Sequence, residues 1–66
     1  MPTYRVLSSR LGQLHRYEAE DDVVAVARGR TIARGEQLSG DSLTVERQEG
    51  VDWARVSTWT PRSTAL

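Results

Sequence analysis

The chain has 66 residues, of which nine are basic and nine acidic, so its formal net charge is zero. A single core at this length supplies roughly 3–5 kcal/mol of stability without cross-links. The sequence has no Cys and one His, which excludes disulfides and argues against a tetrahedral zinc site. The balanced charge argues against a nucleic-acid binder that relies on electrostatics alone. Association with another chain is the remaining source of extra stability.

The first predicted element is a β-hairpin. The segment TYRVLSS alternates as a strand does, and a second strand, LHRYEAE, follows after Gly12. A two-residue turn ending at Gly12 would place Val6 opposite Tyr17. The same register would place Arg5 opposite Glu18, which is a favourable cross-strand charge pair.

Residues 22–35 are predicted to form a helix, because Asp21 or Asp22 supplies an N-cap and Gly35 a stop. One stripe of the helix collects small and apolar side chains, namely Ala25, Val26, Gly29, Ile32 and Ala33. Gly and Ala on this stripe would let the helix lie close to a sheet. The alternative is a hairpin, because Val, Ile, Thr and an internal Gly are mediocre or poor helix formers. That alternative would make the chain all-β.

The last predicted element is a second hairpin, in which DSLTVERQ and DWARVSTW flank an even-numbered turn, either Glu49-Gly50 or residues 48–51. Both turns would place Val45 opposite Ala54 and Leu43 opposite Val56. This register directs Ala54 and Val56 toward the helix. Trp53 and Trp59 would both point to the opposite face, because their spacing is even. A turn with an odd number of residues would exchange the faces and bury both indoles.

Together these elements predict an α+β fold of ββαββ order. Its four-stranded antiparallel sheet has strand order 2-1-3-4 and carries one helix on one face. Residues 1–60 are predicted to form a single domain, and residues 61–66 a flexible tail. The predicted core consists of Tyr4, Val6, Tyr17, Ala19, Ala25, Val26, Gly29, Ile32, Ala33, Leu43, Val45, Ala54 and Val56.

The other face of the predicted sheet has no element to cover it. Trp and Arg are enriched among the residues that dominate interface energetics, so this face predicts a partner-binding surface. Its predicted contact residues are Arg5, Leu7, Leu14, Arg16, Trp53, Arg55 and Trp59. The commonest partner would be a second copy of the chain. The sequence therefore predicts an interaction module that forms a homodimer or binds another protein.

Nucleic acid is the alternative partner. Aromatic and Arg side chains on an open sheet can stack single-stranded bases. The tripeptide Arg28-Gly29-Arg30 has the residues of a minor-groove hook. It lacks the flanking prolines that keep such a hook extended, and a helix would place Gly29 on the inner stripe.

Catalytic and metal-binding patterns are not evident. No nucleophile or carboxylate lies at the spacing from His15 that a catalytic motif would have. The acidic run at residues 18–22 lacks the arrangement of a calcium-binding loop. We therefore predict no enzymatic activity, no cofactor, no metal site and no small-molecule substrate. The sequence shows no signal peptide and no apolar run of about 18 residues, so a cytoplasmic protein without membrane association is expected.

Two resemblances accompany these predictions. Through YEAEDDVVAVARGRTIARG, LTVER and WARVSTW, residues 3–60 resemble small ββαββ proteins of unknown function from actinobacteria and their phages. The absence of Lys, Asn and Phe fits the high-GC genomes of such hosts. This resemblance implies a fold and a host, and no site residue. TIARGEQL and DWARV are also similar to the GxxL…WxxV pattern of bacterial SH3-like barrels, which corresponds to the all-β alternative.

Overall fold

The computed structural model describes residues 1–35 and 41–60. Its elements follow one another as β1 (Thr3–Ser8), β2 (Gly12–Glu18), α1 (Asp22–Gly35), β3 (Leu43–Glu49) and β4 (Asp52–Trp59). The predicted ββαββ fold is confirmed, and the all-β alternative is wrong. The predicted tail, residues 61–66, lies outside the described residues.

The four strands form one antiparallel sheet in the order β2-β1-β3-β4, as predicted. Both hairpins use a Gly with positive φ, 79° at Gly12 and 65° at Gly50. This backbone region is unfavourable for a residue with a side chain. The central strands β1 and β3 belong to different hairpins, so their pairing joins the two halves of the chain.

Successive side chains of a strand point to opposite faces of the sheet. We name the face that packs against α1 the helix face; its central residues are Tyr4, Val6, Leu43 and Val45. We name the other the open face; its residues are Thr3, Arg5, Leu7, Gln13, Arg16, Glu18, Thr44, Glu46, Gln48, Trp53, Arg55 and Thr58. Within the described residues, no helix or strand packs on the open face.

The core lies between α1 and the helix face. Among the residues that the structure describes, seven apolar ones are buried, and all seven were predicted as core: Tyr4, Val6, Ala19, Ala25, Ala33, Leu43 and Val45. At Gly29 the helix approaches the sheet closely, since a Cβ there would lie 2.6 Å from Val45 Cγ2 and 3.1 Å from the Tyr17 hydroxyl. The predicted close approach of helix and sheet is therefore confirmed.

Asp21 caps the N-terminus of α1. Its Oδ1 accepts a hydrogen bond from the Val24 amide at 2.9 Å, and its carbonyl accepts one from the Ala25 amide at 3.0 Å. These bonds satisfy amide groups that a helix leaves without partners in its first turn. Of the two predicted caps, Asp21 is the correct one, and Asp22 is the first helical residue.

Asp22 fixes the start of the helix to the sheet. Its carboxylate accepts hydrogen bonds from the Tyr4 hydroxyl at 2.7 Å and from Arg47 Nη1 at 2.9 Å. Arg47 also donates to Glu49 at 2.7 Å. The Tyr4 hydroxyl, followed by Arg47, lowers the pKa of Asp22. Burial, followed by the hydrogen bond to Asp22, raises the pKa of Tyr4. This network was not predicted from the sequence.

The first hairpin pairs two residues away from the predicted register. Tyr17 lies opposite Tyr4, and Arg16 lies opposite Arg5. The predicted pairing of Arg5 with Glu18 is therefore wrong. The shift is even, so Tyr17 stays on the helix face and Arg16 on the open face.

The turn and a β-bulge explain this difference. Ser8 pairs with Gly12, which leaves a three-residue loop, and the Ser8 hydroxyl accepts hydrogen bonds from the Arg10 and Leu11 amides at 3.2 Å each. Leu14 is the extra residue of a bulge in β2. Bulges redirect side chains, and Leu14 packs against the core. Its predicted place on the open face is wrong.

The second hairpin has an even turn, as predicted, but Gly50 and Val51 form its two-residue loop, because Glu49 pairs with Asp52. Ala54 therefore lies opposite Arg47, two residues away from the predicted partner Val45, and this even shift leaves the faces unchanged. From this turn Trp53 points to the open face, as predicted.

A second bulge places the two tryptophans on opposite faces of the sheet. β3 continues without interruption from Glu46 to Val45, whereas β4 has Val56 as an extra residue at this point. One extra residue reverses the face that later side chains occupy. Trp59 therefore lies opposite buried Leu43, on the helix face. The prediction that both tryptophans share one face is wrong.

Candidate functional site

Trp53 is held in place on the open face by two arginines. Arg5 Cζ lies 4.2 Å from the indole centroid, and Arg16 Cζ lies 5.5 Å from it. The three side chains come from β4, β1 and β2, so they extend across the sheet toward one another. Each cation–π contact contributes about 0.5–1 kcal/mol at a solvent-exposed site. The half-buried indole is therefore an ordered part of the surface.

The three arginines of the open face differ in their ionic partners. Arg5 Nε donates to Glu46 Oε1 at 2.7 Å, and its Nη2 lies 2.6 Å from the same oxygen. Arg16 donates to the neutral amide oxygen of Gln48 at 3.2 Å. Arg55 is exposed, and within residues 1–35 and 41–60 it forms no ion pair. One of the three guanidinium charges is thus neutralised on the face itself.

An open depression of about 380 Å³ lies beside Trp53. Leu7 and Trp53 provide its apolar lining, and Glu46 and Arg55 its charged lining. The other lining residues carry hydroxyl groups: Ser8, Ser9, Ser42 and Thr44. An apolar side chain entering this depression would find a cation close by.

Five of the seven predicted contact residues lie together on the open face: Arg5, Leu7, Arg16, Trp53 and Arg55. The other two, Leu14 and Trp59, lie on the helix side. Two further residues complete the arrangement of the face, since Glu46 holds Arg5 and Gln48 holds Arg16. Thr44, Glu46 and Gln48 are spaced two residues apart along β3, and this spacing indicates from the sequence that they lie on one face. Neither Glu46 nor Gln48 was among the predicted contact residues.

Trp59 and Arg30 form a third cation–π pair, at the helix. Arg30 Cζ lies 5.3 Å from the Trp59 ring, and a Cβ on Gly29 would lie 3.6 Å from the Trp59 Cη2 atom. The indole packs against both core clusters. Trp59 therefore contributes to helix packing.

The Arg28-Gly29-Arg30 segment is helical. Arg28 donates from its Nη1 to the Glu18 carbonyl at 3.0 Å, and Gly29 is buried against the sheet. A minor-groove hook requires an extended backbone. The segment does not have the conformation on which that alternative depends.

Other polar groups serve the fold. The Tyr17 hydroxyl donates to the Ala25 carbonyl, and burial raises the pKa of Tyr17 to about 12. His15 is exposed and stacks on Tyr17 with ring centroids 6.3 Å apart.

Across the described parts of the chain, no three His, Cys, Asp or Glu side chains are grouped to hold a metal ion. No helix in those parts has both the length and the apolar character needed to cross a membrane.

Comparison with protein-family models, curated proteins and solved structures gives no match for this chain. The resemblance to actinobacterial and phage proteins therefore stays a prediction. The open face has to be interpreted from its own geometry and chemistry.

Proposed function

We propose that this chain is a small, non-enzymatic interaction module that binds another protein chain through its open face. One observation carries the proposal: Trp53 lies on the face opposite the core and is held there by Arg5 and Arg16. Trp and Arg are over-represented among residues whose truncation weakens protein interfaces most. An aromatic side chain fixed before binding also loses little conformational entropy on binding.

The division between the two tryptophans supports this proposal. Trp59 packs against both core clusters, whereas Trp53 belongs to neither. Apolar side chains that the core does not use are candidates for contact with a partner. Trp53 and neighbouring Leu7 are half-buried side chains of this kind, and both line the open depression.

A second copy of the chain, which the sequence predicts, would use the same face. With Leu14 and Trp59 on the helix side, its apolar part is reduced to Leu7 and Trp53. Each copy would also bring the same excess of Arg over Glu, and like charges disfavour face-to-face contact. We therefore propose a different protein chain as the partner.

Nucleic acid is the second candidate, favoured by the two guanidinium groups that lie against Trp53. Stacking on such a platform contributes about 1–3 kcal/mol per base. The chain has no net charge, whereas a nucleic-acid binder normally carries a clear excess of basic residues that attracts the phosphate backbone. This charge balance favours protein over nucleic acid.

Photo-crosslinking from the intact chain tests the proposal. A photoreactive residue replaces Thr58, which is exposed on the open face, and in a control replaces Thr31, which is exposed on α1. We expect a protein adduct from position 58 and none from position 31. We also expect the isolated partner to bind Trp53→Ala at least tenfold more weakly than wild type. Equal adducts from both positions, or unchanged affinity for Trp53→Ala, would overturn the proposal.

The same crosslinks distinguish the other partners. An adduct of twice the chain mass would identify a second copy, and an adduct sensitive to nuclease would identify nucleic acid. Either result would replace the proposed partner.

A further inference from the structure

The open face carries more positive than negative charge. Its described ionisable residues are Arg5, Arg16, Arg55, Glu18 and Glu46. The ion pair between Arg5 and Glu46 removes one charge of each sign. The remaining groups are Arg16, Arg55 and Glu18, which give a net excess of one positive charge. Arg16 contacts a neutral amide, and neither Arg16 nor Arg55 has an ion pair among the described residues.

Arg16 and Arg55 lie at opposite ends of a row of residues that crosses the sheet. The backbone pairings place them in one row that crosses the sheet, Arg16–Arg5–Glu46–Arg55. They therefore occupy the two edge strands, and three strand spacings separate their backbones by about 14 Å. Trp53 lies within 5.5 Å of the Arg16 guanidinium and lines the same depression as Arg55. Arg16 and Arg55, which form no ion pair among the described residues, thus lie on either side of the Arg5–Glu46 ion pair, Arg16 beside the Trp53 indole and Arg55 beside the depression.

We infer that the open face recognises an acidic protein segment with two carboxylates on either side of an apolar side chain; this inference rests on the proposed function. The apolar side chain packs on Trp53 and Leu7, and the carboxylates pair with Arg16 and Arg55. Guanidinium groups match carboxylates in a planar, two-bond geometry. An extended segment advances about 3.4 Å per residue, so two acidic residues about four positions apart span the two arginines.

The edge strands favour docking on the face over addition of another strand. Both edge strands contain a bulge, at Leu14 in β2 and at Val56 in β4. A bulge interrupts the regular row of amide and carbonyl groups that an added strand requires. A segment that crosses the open face does not depend on that row.

Labelled synthetic peptides test the inference with the intact chain. One set carries two Glu residues about four positions apart around a central Leu, and the matched set carries Gln in place of Glu. Binding is measured by fluorescence anisotropy at low and at high salt. We expect the Glu peptides to bind roughly tenfold more tightly than the Gln peptides at low salt, with the difference shrinking as salt rises.

Protein variants assign the effect to the two arginines. We expect Arg16→Gln and Arg55→Gln each to weaken binding of the Glu peptides roughly fivefold. Arg34→Gln is the matched control, because Arg34 is exposed in the last turn of α1, and it should leave binding unchanged. Equal binding of Glu and Gln peptides, no binding of either, or equal effects of all three variants would overturn the inference.

A single-stranded oligonucleotide of matched charge completes the test. Tighter binding of the oligonucleotide than of the Glu peptides would identify nucleic acid as the ligand and overturn the inference. If the peptides fail while the crosslink from position 58 yields a protein whose affinity depends on Trp53, only the acidic segment is wrong. If that crosslink fails as well, the proposed function is wrong.

Discussion

The two faces of the sheet each combine a tryptophan with arginine, but they use the pair differently. On the helix face Trp59 packs against the core and Arg30 lies over its ring. On the open face Trp53 lies against Arg5 and Arg16, outside both core clusters. One indole therefore packs against the core, and the other lies outside it on the open face. Residue type and spacing did not determine this difference, because a single extra residue in β4 did.

The largest expected effect concerns the helix face at Gly29. Gly29→Leu should lower the free energy of unfolding by about 3 kcal/mol or more, because even its Cβ would meet the Val45 side chain at 2.6 Å. Urea denaturation followed by circular dichroism measures this loss. Thr31→Leu, at an exposed position of the same helix, should change stability by less than about 0.5 kcal/mol. Equal effects of the two variants would contradict the close packing at Gly29.

A smaller effect is expected from deletion of the bulge residue. Without Val56, β4 becomes a regular strand, and Ser57 can still pair with Val45 and Trp59 with Leu43. The deletion should therefore remove only the packing of one half-buried Val, about 1–2 kcal/mol. Near-complete unfolding would show instead that β4 pairs without a bulge, because deletion would then move Trp59 to the other face.

Asp22 attaches α1 to the sheet through Tyr4 and Arg47, and this attachment should weaken at low pH. The pKa of Asp22 is lowered in the folded chain, so its contribution to stability is complete above its ordinary pKa of 3.8 and is lost as the pH falls through the lower folded-state value. Asp22→Asn should therefore reduce the dependence of the urea midpoint on pH in this acidic range.

Tyr4→Phe provides the matching variant, because the Tyr4 hydroxyl is the largest contributor to the lowered pKa of Asp22. It should also weaken the pH dependence while keeping the ring that fills the core. A wild-type slope in both variants would contradict the role assigned to this network.

The fold class and core were predictable because their signals are local. Asp21 precedes a stripe of Ala25, Gly29 and Ala33 at helical spacing, and the structure uses both the cap and the stripe. Alternation along β1 likewise placed Tyr4 and Val6 in the core. These patterns depend on residues near one another in the chain.

The arrangement of the candidate site was only partly predictable, because it depends on register. Leu14 and Val56 are ordinary strand residues, and nothing in their side chains marks them as the extra residues of two bulges. Each bulge reverses alternation from that point, so each moved one predicted contact residue, Leu14 or Trp59, to the helix side. The Asp22–Arg47 contact was missed for a related reason, since it joins residues 25 positions apart.

Side-by-side unfolding of Trp53→Ala and Trp59→Ala tests the central claim most directly. Both variants remove the same side chain, so urea denaturation followed by circular dichroism compares only the two environments. We predict that Trp59→Ala lowers the free energy of unfolding by about 2–3 kcal/mol, because it removes core packing. Trp53→Ala should lower it by about 1–2 kcal/mol, because it removes two cation–π contacts of about 0.5–1 kcal/mol each and no core packing. Equal losses, or a larger loss for Trp53→Ala, would contradict the division of roles between the two faces.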